Sequence, residues 1–349
     1  MTPSDNLVAQ TVNRLLADRC TADALERAEA EGWCAPVWDG LVVAGFSHIS
    51  LPEKSGGSGG TLSDAAEVLK ALGRYTASVP FAETALLGGW ALAQAGLPLP
   101  DGPITVVPDL LHVQADRITG CSRVAWAARA RHIVAIVEAP DGLSVALIEC
   151  SDIGIEPGSN LAGEARETVT FDVPLANTVQ VAAPAGVDGL SLRQRGALSR
   201  VLLMAGAAEA MSELTVNYTH ERHQFGQPIA RFQAVQEHLV TVAQCAAQLS
   251  VAADLALKAL ERGPAELEIA AAKVIADDAA VSGTRAAHQA HGAMGMTREY
   301  PLHRLSRALW SWRHEYGHAR SWSRQLGDLA FEAGADGLFP LITGSRNQS

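Results

Sequence analysis

The sequence predicts an α+β chain in three parts: helical to about residue 100, β-rich to about residue 186, and a helical bundle beyond. Three observations predict it. Apolar residues recur at helical spacing in the first part. Short runs rich in β-branched residues, separated by turns, fill the middle. Four long segments with apolar residues on most turns make up the rest.

The first helices show in Leu7-Val8 with Val12, Leu15 and Leu16, and in Ala24-Leu25 with Ala28. Ser63-Asp64 before Ala65–Lys70 marks a further start, with Gly73 as its stop. Pro80 opens another helix through Trp90 to Ala95, ended by Gly96, Pro98 and Pro100. Strands are then expected at 104–107, 111–115, 133–137, 143–148 and 168–173, with Pro140-Asp141-Gly142 as one of the turns between them. That spacing predicts a small antiparallel β-barrel or sandwich rather than parallel βαβ units. Helices over 190–220, 234–262, 266–292 and 300 to about 333 predict an antiparallel four-helix bundle. The expected domains are 1–100, 101–186 and 187–349.

Composition bounds the function. Hydrophobic residues are 48% and charged residues 19% of 349, the balance of a folded chain rather than a disordered one. Abundant alanine and leucine with 5% aromatics lean helical. A formal charge of −11 without any basic run argues against nucleic acid as the partner. Cys20, Cys34, Cys121, Cys150 and Cys245 are scattered, so reduced thiols are expected rather than a disulfide framework or zinc site. The start Met1–Asn6 is polar, and no window approaches 18 consecutive apolar residues. A cytoplasmic protein without membrane insertion is expected.

Four stretches carry chemistry. Gly45–Glu53 runs on into Gly56-Gly57-Ser58-Gly59-Gly60; without a preceding βαβ strand this is a loop, not a dinucleotide fingerprint. In Arg222-His223-Gln224-Phe225-Gly226-Gln227-Pro228-Ile229 a guanidinium offers a planar fork suited to a pyrophosphate, and Phe225 a ring to set against a base. Gln289-Ala290-His291-Gly292-Ala293-Met294-Gly295 pairs an amide with glycines that let backbone come close to a ligand. The fourth stretch runs from Tyr300-Pro301 through Arg307 to Glu315-Tyr316-Gly317-His318. His288, His291, His303, His314 and His318 lack helix-spaced metal geometry and read as structural or surface residues, so no metal is expected.

Together these stretches resemble the acyl-CoA dehydrogenase family, and the resemblance covers essentially the whole chain. It implies an α+β acyl-CoA dehydrogenase-like fold with an N-terminal helical domain, a middle β-barrel and a C-terminal four-helix bundle. It also implies FAD as cofactor, an acyl-CoA substrate and an electron-transferring flavoprotein as acceptor. By the same resemblance Arg222, Gln224 and Phe225 reach the FAD of a neighbouring subunit, and Gln289, Gly292 and Ala293 form the second ADP-contacting segment. Ala293 stands where the family frequently has glycine.

Two departures qualify the resemblance. The family removes the substrate α-proton with a glutamate, which needs a carboxylate of raised pKa within reach of that carbon. Aligned on Tyr300-Pro301 and Arg307, that glutamate falls on Tyr316, and the alternative position used by some members falls on Ser199, ahead of Arg200. A tyrosine with a pKa near ~10 is a poor base. Glu315, one residue away, is the remaining candidate, either as base or as a solvated partner of Arg313 or Arg320. The second departure is the flavin-facing loop of the middle domain, replaced here by Pro103–Leu110. The favoured expectation is therefore the half-site subunit of a heteromeric α2β2 FAD-dependent acyl-CoA dehydrogenase, resembling partner chains of steroid-degrading members. A self-sufficient homo-oligomeric enzyme using Glu315, and a non-catalytic acyl-CoA-binding or scaffold protein, are the alternatives.

Overall fold

The computed structural model describes residues 7–343; the polar run Met1–Asn6 lies outside the described residues. The first helical part comprises α1 (Leu7–Arg19), α2 (Ala22–Glu31), α3 (Ala35–Val43), α4 (Leu62–Tyr75) and α5 (Gly89–Gln94), the last continuing a π-helical stretch at Ala82–Gly88. The second comprises α6 (Gly189–Glu221), α7 (Gln233–Arg262), α8 (Glu266–Asp278), α9 (Thr284–His291), α10 (Leu302–Trp312) and α11 (Ala319–Thr343).

Helix α4 begins on Thr61 rather than Ser63, in a reciprocal capping box with Asp64. It runs past Gly73 and ends at Thr76, which is left-handed at φ 50°. Gly73 has a different task. A Cβ there would lie 1.9 Å from the carbonyl oxygen of Leu203, and one at Gly206 would lie 1.8 Å from that of Lys70. α4 and α6 thus cross backbone to backbone, and only glycine fits at either point. The small residues Ala205, Ala207 and Ala208 are buried in the same core, so close helix packing accounts for them.

The middle part is a mixed sheet built from β1 (Ile104–Val106), β2 (Leu111–Gln114), β3 (Arg117–Ala125), β4 (His132–Ala139), β5 (Gly142–Glu149), β6 (Gly154–Glu156), β7 (Arg166–Pro174) and β8 (Val179–Ala182). Its order is β6-β7-β3-β2-β4-β5-β8, with β1 beside β4. The expected antiparallel barrel is corrected on two counts. β1 and β2 both run parallel to β4, and the sheet stays open, because the end strands β6 and β8 pair only inward. The two free edges are short strands of three and four residues. β4 shows why both faces are apolar. Val134 and Ile136 join the helical core, while Ile133, Ala135 and Val137 join a second core with Phe171, Val173 and Ile118.

The C-terminal bundle departs from four continuous helices. The segment expected as one helix from Tyr300 breaks after Trp312, because Tyr316 and Gly317 take φ of 55° and 104°. α7 is long and apolar enough by length and composition to cross a membrane, yet its inner face (Val242, Leu249, Ala253, Leu257) is buried in the bundle. That burial covers 39% of its apolar window.

Candidate functional site

A cleft of about 580 Å³ opens between the middle sheet and the C-terminal helices. Val106, Pro108, Leu161 and Trp310 supply apolar wall, and Arg166, Arg200, Glu315 and Tyr316 close one side. The Pro103–Leu110 segment, which stands where the resemblance expects the flavin loop, therefore contributes directly to this cleft.

Burial of a charge is costly unless it is paired, and here the charges form a chain. The carboxylate of Glu315 accepts from Arg166 Nε at 2.9 Å and Asn160 Nδ2 at 3.2 Å on Oε1. Its Oε2 accepts from Arg200 Nε at 2.6 Å and Arg166 Nη2 at 3.1 Å. Arg200, on the buried middle of α6, also donates from Nη2 to Glu83 Oε1 at 2.5 Å. Arg166, at the start of β7, also donates to Glu164 Oε2 at 2.9 Å, which accepts from Trp312 Nε1 as well. Five charged side chains from four parts of the chain thus form one buried array: Glu83, Arg200, Glu315, Arg166 and Glu164.

This array decides what Glu315 can do. Burial alone raises its pKa, but the guanidiniums of Arg166 and Arg200 outweigh that and hold the carboxyl well below the usual range. A general base near neutrality needs the opposite shift and a lone pair free for the proton. With four donors in place, Glu315 has neither. Its partners also differ from the expected ones: Arg313 pairs instead with Asp277 at 2.6 Å, and Glu315 is largely buried rather than solvated.

Tyr316 occupies the expected base position and is held there from below. A Cβ on Gly196 would lie 2.2 Å from Tyr316 Cδ1, so the ring rests directly on the α6 backbone. Burial pushes its hydroxyl well above the ordinary phenol range, which leaves a proton donor rather than a base. The Arg200 guanidinium carbon sits 5.1 Å from the ring centre. Ser199, the alternative position, is fully buried and donates to the Gly196 carbonyl at 2.7 Å.

The turn carrying Glu315 and Tyr316 is anchored by Lys273. This ammonium, 1% exposed on α8, donates to the carbonyls of Glu315 at 2.9 Å, Arg313 at 3.1 Å and Trp312 at 3.4 Å. It thereby satisfies acceptors left over at the end of α10. Burial lowers its pKa to about 7. Sequence inspection missed Lys273, Arg166, Glu164 and Glu83. The available signal was a charge set among core apolar residues, as Arg200 is between Leu198 and Val201.

The other predicted site residues lie elsewhere. Arg222 caps the far end of α6, roughly 33 Å from Arg200 at ~1.5 Å rise per residue. Beyond it the short strands β9 (His223–Gln224) and β10 (Gln227–Pro228) form a hairpin. Phe225 at its tip is 92% exposed, with φ 51°, and meets Phe232 edge-on at 6.0 Å. The second segment lies alongside. Tyr218 stacks on His291 at 4.5 Å, packs edge-on against Tyr300 at 5.5 Å, and donates to the His291 carbonyl at 3.3 Å. Arg222, Gln224, Gln289, Gly292 and Ala293 are all exposed. Gly292 has φ 60° and open space where a Cβ would stand. The structure therefore brings the two segments to one end of the bundle and separates them from Glu315. Among the described residues no group of His, Cys, Asp and Glu is placed to hold a metal.

Comparison with known proteins identifies the fold. The model of the acyl-CoA dehydrogenase N-terminal domain matches residues 2–98, and that of the C-terminal domain matches 193–314. Acyl-CoA dehydrogenase FadE27 of Mycobacterium tuberculosis is 27% identical over 328 residues, covering 83% of this chain and 87% of the relative. Acyl-CoA dehydrogenase IpdE2 of Mycolicibacterium smegmatis is 27% identical over 308 residues, covering 86% and 91%. A chain in the crystal structure of the ChsE4-ChsE5 complex from Mycobacterium tuberculosis superposes with a TM-score of 0.84 at 24% identity, covering 96% of this chain and all of that one. With both terminal domain models matched, full-length relatives aligned and the same architecture throughout, this chain belongs to the acyl-CoA dehydrogenase family.

Proposed function

We propose that the chain is the half-site subunit of a heteromeric FAD-dependent acyl-CoA dehydrogenase. A partner of the same family supplies the catalytic glutamate, and this chain completes a flavin site through its exposed segments. The observation that carries the proposal is the state of Glu315. The carboxylate next in sequence to the expected base position accepts four hydrogen bonds, three of them from two buried guanidiniums, while Tyr316 fills the position itself.

The exposed segments fit the nucleotide end of FAD. Among the described residues Arg222 has no side-chain partner, so its fork is free for a pyrophosphate. Phe225 stands outward for a base, and Gln289 offers an amide next to the open backbone at Gly292. These groups would bind and orient the cofactor, and Phe225 would shield it from water. FAD, when bound, supplies the acceptor for the hydride lost from the acyl-CoA β-carbon. The α-proton leaves to the partner's carboxylate, since neither Tyr316 nor Glu315 is able to take it. The two-chain ChsE4-ChsE5 neighbour supports a heteromeric arrangement. An acyl-CoA substrate, an electron-transferring flavoprotein as acceptor and a cytoplasmic setting belong to the same proposal.

Co-expression with a glutamate-bearing family member tests it. A yellow complex that oxidises an acyl-CoA is expected, with activity abolished by replacing the partner's glutamate with glutamine and retained in Glu315→Gln of this chain. Loss of turnover in a folded, flavin-loaded Glu315→Gln complex would assign the chemistry to this chain instead.

A further inference from the structure

A second cleft, of about 220 Å³, lies among α2, α4, α6 and α10, away from Tyr316 and from the Phe225 hairpin. Its polar lining is Arg74, Tyr75, Thr76 and Arg304, and its apolar lining includes Leu25, Leu214 and Leu305. From these residues we infer that the cleft binds a small organic anion, specifically a short-chain carboxylate.

Arg304 is the first reason. Its Nε is buried and has no hydrogen-bond partner, and no carboxylate lies within ion-pair distance of its guanidinium among the described residues. Arg307, one turn further along α10, shows what a satisfied arginine looks like here: it donates to the Leu161 carbonyl at 2.7 Å and pairs with Glu29. Of the acids around the cleft, Glu29 pairs with Arg307 and Glu213 with Arg74, while Glu209 acts on Arg74 from a longer distance; none of the three lines the cleft. Buried donors in folded proteins are paired with few exceptions, so an orphan beside a cavity calls for an acceptor.

The rest of the lining agrees in sign. The hydroxyls of Tyr75 and Thr76 make no hydrogen bond among the described residues and are free to donate. Pro301 is the N-cap of α10 and Arg304 lies in its first turn; this helix start has no side-chain cap and presents the positive end of the helix dipole. No acidic side chain offsets these donors within the lining. The rest of the lining is aliphatic, which suits a short carbon tail better than a fully hydrated inorganic anion. Ordinary ligand sites run to ~300–1,000 Å³, so the occupant is small.

The test uses the full-length chain at neutral pH and reads binding by saturation-transfer NMR, independently of flavin or turnover. Butyrate is the probe and butanamide the uncharged match; inorganic phosphate, the tailless anion, has no observable proton and is read as a competitor that displaces the butyrate signal. Butyrate is expected to bind in the low-millimolar range, butanamide at least tenfold more weakly, and phosphate more weakly than butyrate. Arg304→Gln should weaken butyrate at least tenfold. Arg304→Lys, which keeps the charge but loses the fork, should weaken it about threefold and decides the matter if the glutamine variant does not fold. Absence of butyrate binding, equal binding of butanamide, tighter binding of phosphate, or unchanged affinity in both variants would each overturn the inference.

Discussion

Replacing Glu315 by glutamine separates a structural role from a chemical one. The substitution removes a charge that two buried guanidiniums share and turns an NH₂ toward groups that only donate. Removing one partner of a buried ion pair typically costs about 3–5 kcal/mol. Arg166 keeps Glu164 and Arg200 keeps Glu83, so the lower end, about 3 kcal/mol, is expected. With an unfolding entropy of ~2.1 cal/mol/K per residue, a chain of 349 residues should lose roughly 4 °C in Tm. The pH dependence provides a second reading. Because the folded pKa of Glu315 is depressed, its contribution is complete above the unfolded value of about 4.3 and fades as pH falls below it. Urea unfolding of both proteins should give a constant gap from pH 8 to 5 that narrows below about pH 4.3. A gap under about 1 kcal/mol at neutral pH would refute the array as described.

Three further outcomes follow from particular contacts. Gly196→Ala should cost about 1–3 kcal/mol by driving a methyl group into the Tyr316 ring, and Tyr316→Ala in the same chain should recover most of it; additive losses in the double variant would mean the two do not touch. Lys273→Met tests the anchored turn. Because the folded Lys273 pKa is lowered to about 7, the unfolded chain binds more protons between pH 7 and about 10.4, so wild-type stability should rise with pH across that window relative to the variant; parallel curves would contradict it. Phe225→Ala removes a side chain that is 92% exposed, so stability should change by less than about 0.5 kcal/mol while flavin retention in the complex falls. Unchanged flavin retention would remove Phe225 from the cofactor.

Much of the fold is legible in the sequence because its causes are local. The 3.6-residue period of α6 and α7, the Pro140-Asp141-Gly142 turn and the strand runs around β4 and β5 all sit within one element. The errors arose where distant parts decide. Closure of the sheet depends on whether β6 and β8 meet, and neither strand's own sequence says so. The break after Trp312 rests on left-handed Tyr316 and on Lys273, 42 residues away from the Glu315 carbonyl it holds. The site shows the same division. The segments at Arg222 and Gln289 are compact motifs, so they stand out in the sequence. The partners of Glu315 could not, since Arg166 and Arg200 lie 149 and 115 residues away. Sequence offered Arg313 and Arg320 because they are near in the chain; the fold chose arginines that are near in space.

The most direct measurement is the visible absorption and native mass of the chain purified alone and co-purified with a glutamate-bearing family member. A colourless chain alone and a yellow hetero-oligomer are predicted, with the flavin band lost in Arg222→Gln while assembly persists. A flavin band on the chain alone, in a homo-oligomer that oxidises an acyl-CoA, would contradict the half-site account.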